Sequence, residues 1–167
     1  MLATTYFPTH ADNRMRSEGD VEAARESFLK RRPKNLEYLL RTRYDWMNAY
    51  LEGRETVIEL GSGAGFAREF LTNPNLKLTD IEKRPWIDQR IDALDTGLES
   101  DSVDAVIASH MIHHLAHPVQ FFEEAERILR PGGILLIQEI ETSLLMRLML
   151  RAMRHEGWSY DIDVFDP

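Results

Sequence analysis

What this chain can fold into narrows most at Thr56-Val-Ile-Glu-Leu-Gly-Ser-Gly-Ala-Gly-Phe66. Thr56 to Glu59 reads as a β-strand, glycines 61, 63 and 65 make a loop, and Ala67 to Leu71 reads as a helix. Strand, glycine loop and helix in succession is how a parallel α/β domain offers backbone N–H groups and a helix N-terminus to a nucleotide-like ligand. The spacing is Gly-x-Gly-x-Gly, with Phe66 where a dinucleotide fingerprint carries its third glycine. Glu59 stands two residues before the first glycine. A carboxylate there repels a pyrophosphate and suits a ligand bearing an ammonium group. Taken alone, the loop fits a tight βα turn equally well.

VIELGSGAG resembles the first motif of the class I S-adenosylmethionine-dependent methyltransferases, (Asp/Glu)-x-Gly-x-Gly-x-Gly. Arg127-Ile-Leu-Arg-Pro-Gly-Gly-Ile-Leu-Leu-Ile137 is similar to a second segment of that family, and the likeness runs from about residue 55 to 140. Within the family the chain looks like the small-molecule type, similar to the methyltransferase core of ubiquinone and menaquinone biosynthesis. The resemblance implies a Rossmann-like, doubly wound, mainly parallel sheet of order 3-2-1-4-5 with helices on both faces. It also implies S-adenosyl-L-methionine as cofactor and a small-molecule methyl acceptor. Glycine suits such a ligand because, without a Cβ, the main chain can approach the methionine and ribose portions closely.

Residues 1–18 show no periodicity and read as a loose arm. Residues 19–52 read as a helical segment: Asp20 to Arg31, capped by Gly19 or Asp20, with Val21, Ala24, Phe28 and Leu29 near helical spacing. Pro33 breaks it. A second helix, Leu36 to Leu51, is capped by Asn35 and carries Leu36, Leu39, Leu40, Tyr44, Met47 and Leu51 on one face. Tyr44, Trp46 and Tyr50 either pack on the sheet or form a lid over the ligand.

The cofactor-binding core reads as 53–140. Its second strand, Leu76 to Asp80, ends in an acid about twenty positions after Gly61, where parallel α/β nucleoside sites place a carboxylate against the ribose hydroxyls. Asp80 takes that role, with Glu82 in reserve. Pro85 leaves no room for a full helix before the third strand, Trp86 to Asp92 with Ile91 at its core. Ser102 to Ser109 reads as a buried fourth strand. An amphipathic helix from Pro118 to Leu129 turns Val119, Phe122, Ala125, Ile128 and Leu129 inward, Arg130-Pro-Gly-Gly133 stops it, and Ile134 to Gln138 forms the fifth strand.

The resemblance implies that Glu59, Gly61, Ser62, Gly63 and Gly65 hold the methionine end, and that Asp80 and Ile81 flank the ribose. Asp92 and Ala93 match the adenine position, although Asp92 also reads as a solvent-facing loop residue. Thr96-Gly97-Leu98 departs from the family's usual Leu-Pro-Phe. Ser109 and His110 lie at the fourth strand's ligand edge, followed by His113 and His114. Three histidines there admit a structural role flanking the cofactor, a general base (His113 or His114) or a metal site, with His110 and His114 on one helical face. No HExxH pattern accompanies them, and no metal is expected.

Only 141–167 follow the fifth strand. Ser143 to Arg154 reads as a Leu/Met/Arg helix and Ser159 to Phe165 as one alternating strand, so the antiparallel strand pair usual in the family does not fit. A shortened chain, a second copy or partner covering the bare sheet edge, or a helix lying on a membrane surface would each account for this.

The net charge of −8 is a poor start for binding nucleic acid. The absence of cysteine excludes disulfides and zinc–thiolate sites. No apolar stretch approaches the ~18 residues of a transmembrane helix, and the N-terminus lacks a signal-peptide pattern, so the expected location is cytoplasmic. Two other functions fit the same residues: a non-catalytic member that binds the cofactor or a protein partner, and an NAD-dependent oxidoreductase.

Overall fold

Two short apolar runs build the centre of the molecule. In the computed structural model, which describes residues 21–115, 117–140, 143–146 and 148, strands β1 (Val57–Leu60) and β4 (Val103–Ser109) lie parallel, Val57 opposite Ala105 and Leu60 opposite Ala108. All of β1 is buried, and all of β4 except Asp104. β-branched and small apolar residues buried on both faces are what a helix-covered parallel sheet demands. β2 (Leu76–Asp80) pairs with the other side of β1, and β3 (Gln89–Arg90) pairs with β2. β5 (Leu129–Gln138) pairs with β4. The sheet order is β3-β2-β1-β4-β5, all parallel, as the resemblance implies. Between β1 and β4 the winding reverses, and the loops that follow these strands diverge there, leaving the crevice that ligands use in such sheets.

One sheet face presents Val57, Leu78, Ala105 and Ile107 to α1 (Val21–Arg31), α2 (Lys34–Tyr44), α3 (Asn48–Leu51) and α4 (Ala67–Phe70). Phe28, Leu40, Tyr44, Met47, Leu51 and Phe70 fill that layer, with the Tyr44 and Phe70 rings stacked 6.2 Å apart. The other face buries Ile58, Leu60, Val106 and Ala108 against α5 (Pro118–Ile128). The 19–52 segment, where described, therefore packs on the sheet rather than standing off it.

Several boundaries differ from expectation. Phe28 is buried on α1 but Leu29 is 40% exposed. The second helix is not continuous: α2 begins at Lys34 with Pro33, not Asn35, as the residue before its first turn. A 3-10 turn over Asp45–Met47 then re-aims the chain into α3. That change of pitch keeps Tyr44, Met47 and Leu51 buried while Leu39, Trp46 and Tyr50 face outward. The expected 86–92 strand shrinks to Gln89–Arg90, because a turn from Arg84 to Ile87 tucks Ile87 into the core. On α5 it is Phe121, not Phe122, that is buried: 121, 125 and 128 share one face, and Phe122 is 44% exposed. β5 starts at Leu129, so Arg130-Pro-Gly-Gly133 lies within the strand as an irregularity between the Val103 and Ala105 pairings.

The arm at 1–18, the cap at Gly19 or Asp20, and the strand at 159–165 lie outside the described residues. Of the expected 143–154 helix only 143–146 and 148 are described, and there Leu144 and Leu145 are exposed rather than packed on the sheet.

Candidate functional site

The glycine loop takes the conformation its composition allows. Gly61, Gly63 and Gly65 all have positive φ, at 66°, 49° and 67°, a region that L-residues other than glycine enter only with strain. A Cβ on Gly61 would lie 2.3 Å from Met111 Cγ, and one on Gly65 would lie 2.6 Å from Trp86 Cδ1. A Cβ on Gly63 would meet nothing within 4 Å. Gly61 and Gly65 thus answer to packing, whereas Gly63 borders open space. The loop's carbonyls are held from outside it. The Arg25 guanidinium donates to Ala64 O at 2.6 Å and Gly65 O at 3.2 Å, and the Trp86 indole donates to Gly63 O at 2.8 Å. Arg25 also sits 5.0 Å over the Trp86 ring. The helix after the loop has only four residues, so its N-terminus contributes little field.

Asp80 reaches this loop. Its Oδ2 accepts the Gly63 N–H at 2.8 Å and its Oδ1 accepts the Glu82 N–H at 2.9 Å. Arg84 stands 3.6 Å from Oδ1. Each carboxylate oxygen has a lone pair to spare, and the neighbouring Ile81 is 55% exposed, an apolar surface beside a carboxylate. Ser62 faces inward instead. Its hydroxyl donates to Glu59 O and accepts the Thr79 N–H, fastening the loop to β2, so only its backbone borders the crevice.

Beneath the loop lies a buried polar cluster. Glu59 is 1% exposed, and burial pushes its carboxyl up to about 7 against the opposing pull of Ser62, Tyr44 and Arg43. Tyr44, from α2, donates to Glu59 Oε1 at 3.1 Å. Burial, then the Glu59 charge, raises the Tyr44 phenol well above its usual range, so it stays a donor. Glu59 Oε2 and Ser109 Oγ have no hydrogen-bond partner among the described residues. Buried polar atoms are rarely left so. Two such atoms at the C-terminal ends of β1 and β4, under a loop whose central glycine faces open space, fit a ligand that brings a polar group into the crevice.

After β4 the chain turns sharply. His110 has φ 53°, a strained region that histidine enters more readily than most residues, and its N–H donates to Gln138 O. Ile112–His114 then forms a 3-10 turn. His110 and His114 therefore do not share a helical face. Glu139, at the end of β5, organises this segment. Its Oε1 accepts the N–H groups of Met111 at 2.8 Å and Ile112 at 2.7 Å, and its Oε2 lies 2.7 Å from His113 Nδ1. Burial alone would raise Glu139, but the His113 hydrogen bond and charge and the two N–H groups more than reverse it and hold the carboxyl below its ordinary value. When the His113 ring is neutral, an ionised Glu139 makes Nδ1 the donor and leaves the Nε2 lone pair free. The His114 ring lies 4.0 Å from that of His113. Burial, followed by the Arg43 charge, lowers His110 below its ordinary value.

After β3, Asp92 is exposed and Ala93 buried. Asp92 Oδ1 accepts the Leu94 N–H, so one oxygen shapes its own loop. Glu124 on α5 pins the following turn, accepting from Thr96 N–H at 2.8 Å and Thr96 Oγ1 at 2.5 Å. The Arg127 side chain, and then Thr96, hold Glu124 down at about 2 despite the opposing effect of burial.

The crevice thus gathers the glycine loop, Glu59, Asp80, Ile81, Ser109, His110 and His113 at one sheet end. Sequence reasoning missed three contributors. Tyr44 was placed only as core or lid; Arg25 gave no signal, since its partners are backbone carbonyls. Glu139 was legible in principle, as an acid closing the strand beside the one that leads into the histidines.

Comparisons with known proteins bear on the family and the fold. Residues 58–137 match the family described as "Methyltransferase domain". The hybrid PKS-NRPS synthetase thnA of Trichoderma harzianum is 29% identical over 121 residues, 72% of this chain and 3% of that one. The polyketide synthase-nonribosomal peptide synthetase pyiS of Pyricularia grisea is 36% identical over 84 residues, 50% of this chain and 2% of that one. The chain therefore spans a few per cent of the length of these curated relatives. Among solved structures, an S-adenosylmethionine-dependent methyltransferase from Archaeoglobus fulgidus superposes with a TM-score of 0.50 at 18% identity, over 59% of this chain and 50% of that one, a likeness of fold.

Proposed function

We propose that the chain, whose residues 58–137 match a methyltransferase domain, is a class I S-adenosylmethionine-dependent enzyme that methylates a small-molecule acceptor that must lose a proton, with His113 as the base. The observation that carries this is the His113–Glu139 contact of 2.7 Å at the ligand edge of β4. When bound, S-adenosylmethionine supplies a methyl group on a sulfonium, activated for in-line displacement. The residues here that would hold it are the Gly61–Gly65 loop, Glu59, Asp80 with Ile81, Asp92 with Ala93, and Ser109 with His110. Asp80 has lone pairs left for ribose hydroxyls after serving Gly63 and Glu82. Asp92 retains a second oxygen for an exocyclic amine.

Glu139 keeps the proton on Nδ1, so that Nε2 accepts the acceptor's proton, and its charge stabilises the imidazolium that results. Such a device is unneeded for a neutral amine and useful for a hydroxyl or a carbon acid. The relatives named as polyketide synthases favour the second: a carbon between two carbonyls, as in a polyketide chain, rather than a quinone precursor. The N-terminal helices, packed on the sheet, reach the site through Tyr44 on Glu59 and Arg25 on the glycine loop. In the same proposal the chain works in the cytoplasm, with a second copy or partner along β5. No helix of the described residues is long and apolar enough to cross a membrane.

Incubation with S-adenosylmethionine and a β-ketoacyl thioester, followed by mass spectrometry, tests the function. A one-methyl mass gain that is lost in His113→Ala is expected. Methylation that persists in His113→Ala would overturn the base assignment. Binding of S-adenosylhomocysteine without turnover of carbon, hydroxyl or amine acceptors would favour the non-catalytic alternative, and binding of NAD in its place the oxidoreductase.

A further inference from the structure

The cluster beneath the glycine loop carries a consequence for binding that the methyl-transfer chemistry does not use. Glu59 is buried between the sheet and α2; the Tyr44 hydroxyl donates to Oε1 at 3.1 Å, and the Ser62 hydroxyl, which donates to the Glu59 backbone carbonyl, also favours the charged carboxyl. Oε2 has no donor among the described residues, and the Ser109 hydroxyl lies beside that of Tyr44 without a hydrogen bond of normal geometry. A buried carboxylate served only by neutral hydroxyls is poorly compensated and keeps its proton instead. The groups that face it are Arg43 and Tyr44 from α2, Ser62 from the glycine loop and Asp80 from the end of β2, with Ser109 from the end of β4 beside Tyr44. The one cation among these, Arg43, acts on Glu59 only through its charge, without a contact ion pair among the described residues.

We propose that Tyr44 is a positioning residue for the cofactor and that the Tyr44–Glu59–Ser109 cluster links cofactor binding to proton release. The inference rests on the S-adenosylmethionine reading of the site. An incoming ammonium group supplies the missing compensation at Oε2. The Glu59 O–H bond then breaks, its proton passes to solvent, and the ligand's ammonium keeps its own protons and donates one hydrogen bond to the new carboxylate. Tyr44 holds Oε1 throughout, which fixes the carboxyl's rotation and leaves Oε2 for the ligand. Because Tyr44 belongs to α2, the same contact ties the N-terminal helices to occupancy of the loop. Burial of Glu59, which lifts it to about 7, sets the range in which the linkage is felt.

Isothermal titration of the full chain with S-adenosylhomocysteine, across about pH 5.5 to 8 in buffers of different ionisation enthalpy, measures both affinity and protons released. In the wild type, affinity should rise roughly tenfold per pH unit up to about 7 and then level, with close to one proton released per ligand at the acid end. Glu59→Gln should bind with neither slope nor release. Tyr44→Phe should keep the release, move the levelling point to higher pH, and weaken binding at neutral pH on the order of tenfold, because a charged carboxylate loses its donor. A merely structural Tyr44 would leave the levelling point where it is. Wild-type binding that is flat with pH and releases no proton overturns the inference and leaves the cofactor reading standing. Absence of binding at every pH overturns both. Should Tyr44→Phe fail to fold, the wild-type and Glu59→Gln proton counts decide alone.

Discussion

Replacing Glu139 with glutamine removes one charge and one acceptor from a side chain that serves three donors. Oε1 takes the N–H groups of Met111 and Ile112, and Oε2 takes His113 Nδ1. Glutamine has a single acceptor oxygen. If that oxygen faces His113, the amide NH2 abuts two backbone N–H groups, leaving both unsatisfied at about 1–3 kcal/mol each. The opposite orientation keeps both backbone bonds and turns the NH2 toward Nδ1. His113 must then accept at Nδ1 and carry its proton on Nε2, the wrong tautomer for a base. The loss in kcat should be about 10²- to 10⁴-fold, the range of a general base, with a stability loss of only about 1–2 kcal/mol for the weakened contact. The assay is the rate of S-adenosylhomocysteine formation with a β-ketoacyl thioester, alongside calorimetric binding of S-adenosylhomocysteine and thermal melting. Binding should be unchanged. The His113→Ala, Glu139→Gln double variant should be no slower than His113→Ala alone, since residues acting as a unit are not additive. A Glu139→Gln enzyme within about twofold of wild type, or a double variant showing the product of both losses, would refute the dyad.

Gly63→Ala and Gly65→Ala should separate binding from folding. A Cβ at 63 meets no atom within 4 Å, so the variant should lose only about 1–2 kcal/mol to its positive φ yet bind S-adenosylhomocysteine at least tenfold more weakly, as read by melting and calorimetry; unchanged affinity would mean that the ligand does not approach Gly63. At 65 the Cβ meets Trp86 and Leu78 at 2.6 and 3.0 Å, so the melting temperature should fall further than for Gly63→Ala. Glu124, held at about 2, contributes stability that is fully present above its unfolded value near 4.3 and is lost as pH falls through about 2. Glu124→Gln should therefore be less stable than wild type at neutral pH, with the gap closing in acid, as denaturant melts at both pH values would show; a gap constant with pH would contradict this.

The central strands and the glycine loop were legible because both rest on local pattern, apolar β-branched runs at 57–60 and 103–109 and the spacing of glycines 61, 63 and 65, whereas the sheet order came from the family resemblance those motifs carry. The place of Asp80, at the end of β2 and against the glycine loop, was legible because the topology fixes its distance along the chain. What escaped the sequence were partners distant in the chain. Tyr44 lies fifteen positions from Glu59 and Glu139 twenty-six from His113, and no periodicity encodes those meetings. Phe121 was exchanged for Phe122 because adjacent phenylalanines both fit an apolar stripe; only packing against Ile58 and Val106 chooses. The two-residue β3 defeated pattern reading for a different reason: Pro85 and the turn at Arg84 to Ile87 leave pairing room for Gln89 and Arg90 alone.

The central claim is that the crevice above β1 and β4 holds S-adenosylmethionine, anchored at Asp80. Calorimetric titration of the wild type and Asp80→Ala with S-adenosylhomocysteine, and of the wild type with NAD, tests it most directly. The predicted result is one-to-one binding of S-adenosylhomocysteine, weakened at least tenfold in Asp80→Ala through loss of charge-assisted hydrogen bonds, and no binding of NAD. Binding of NAD without S-adenosylhomocysteine, or equal affinity for wild type and Asp80→Ala, would contradict it.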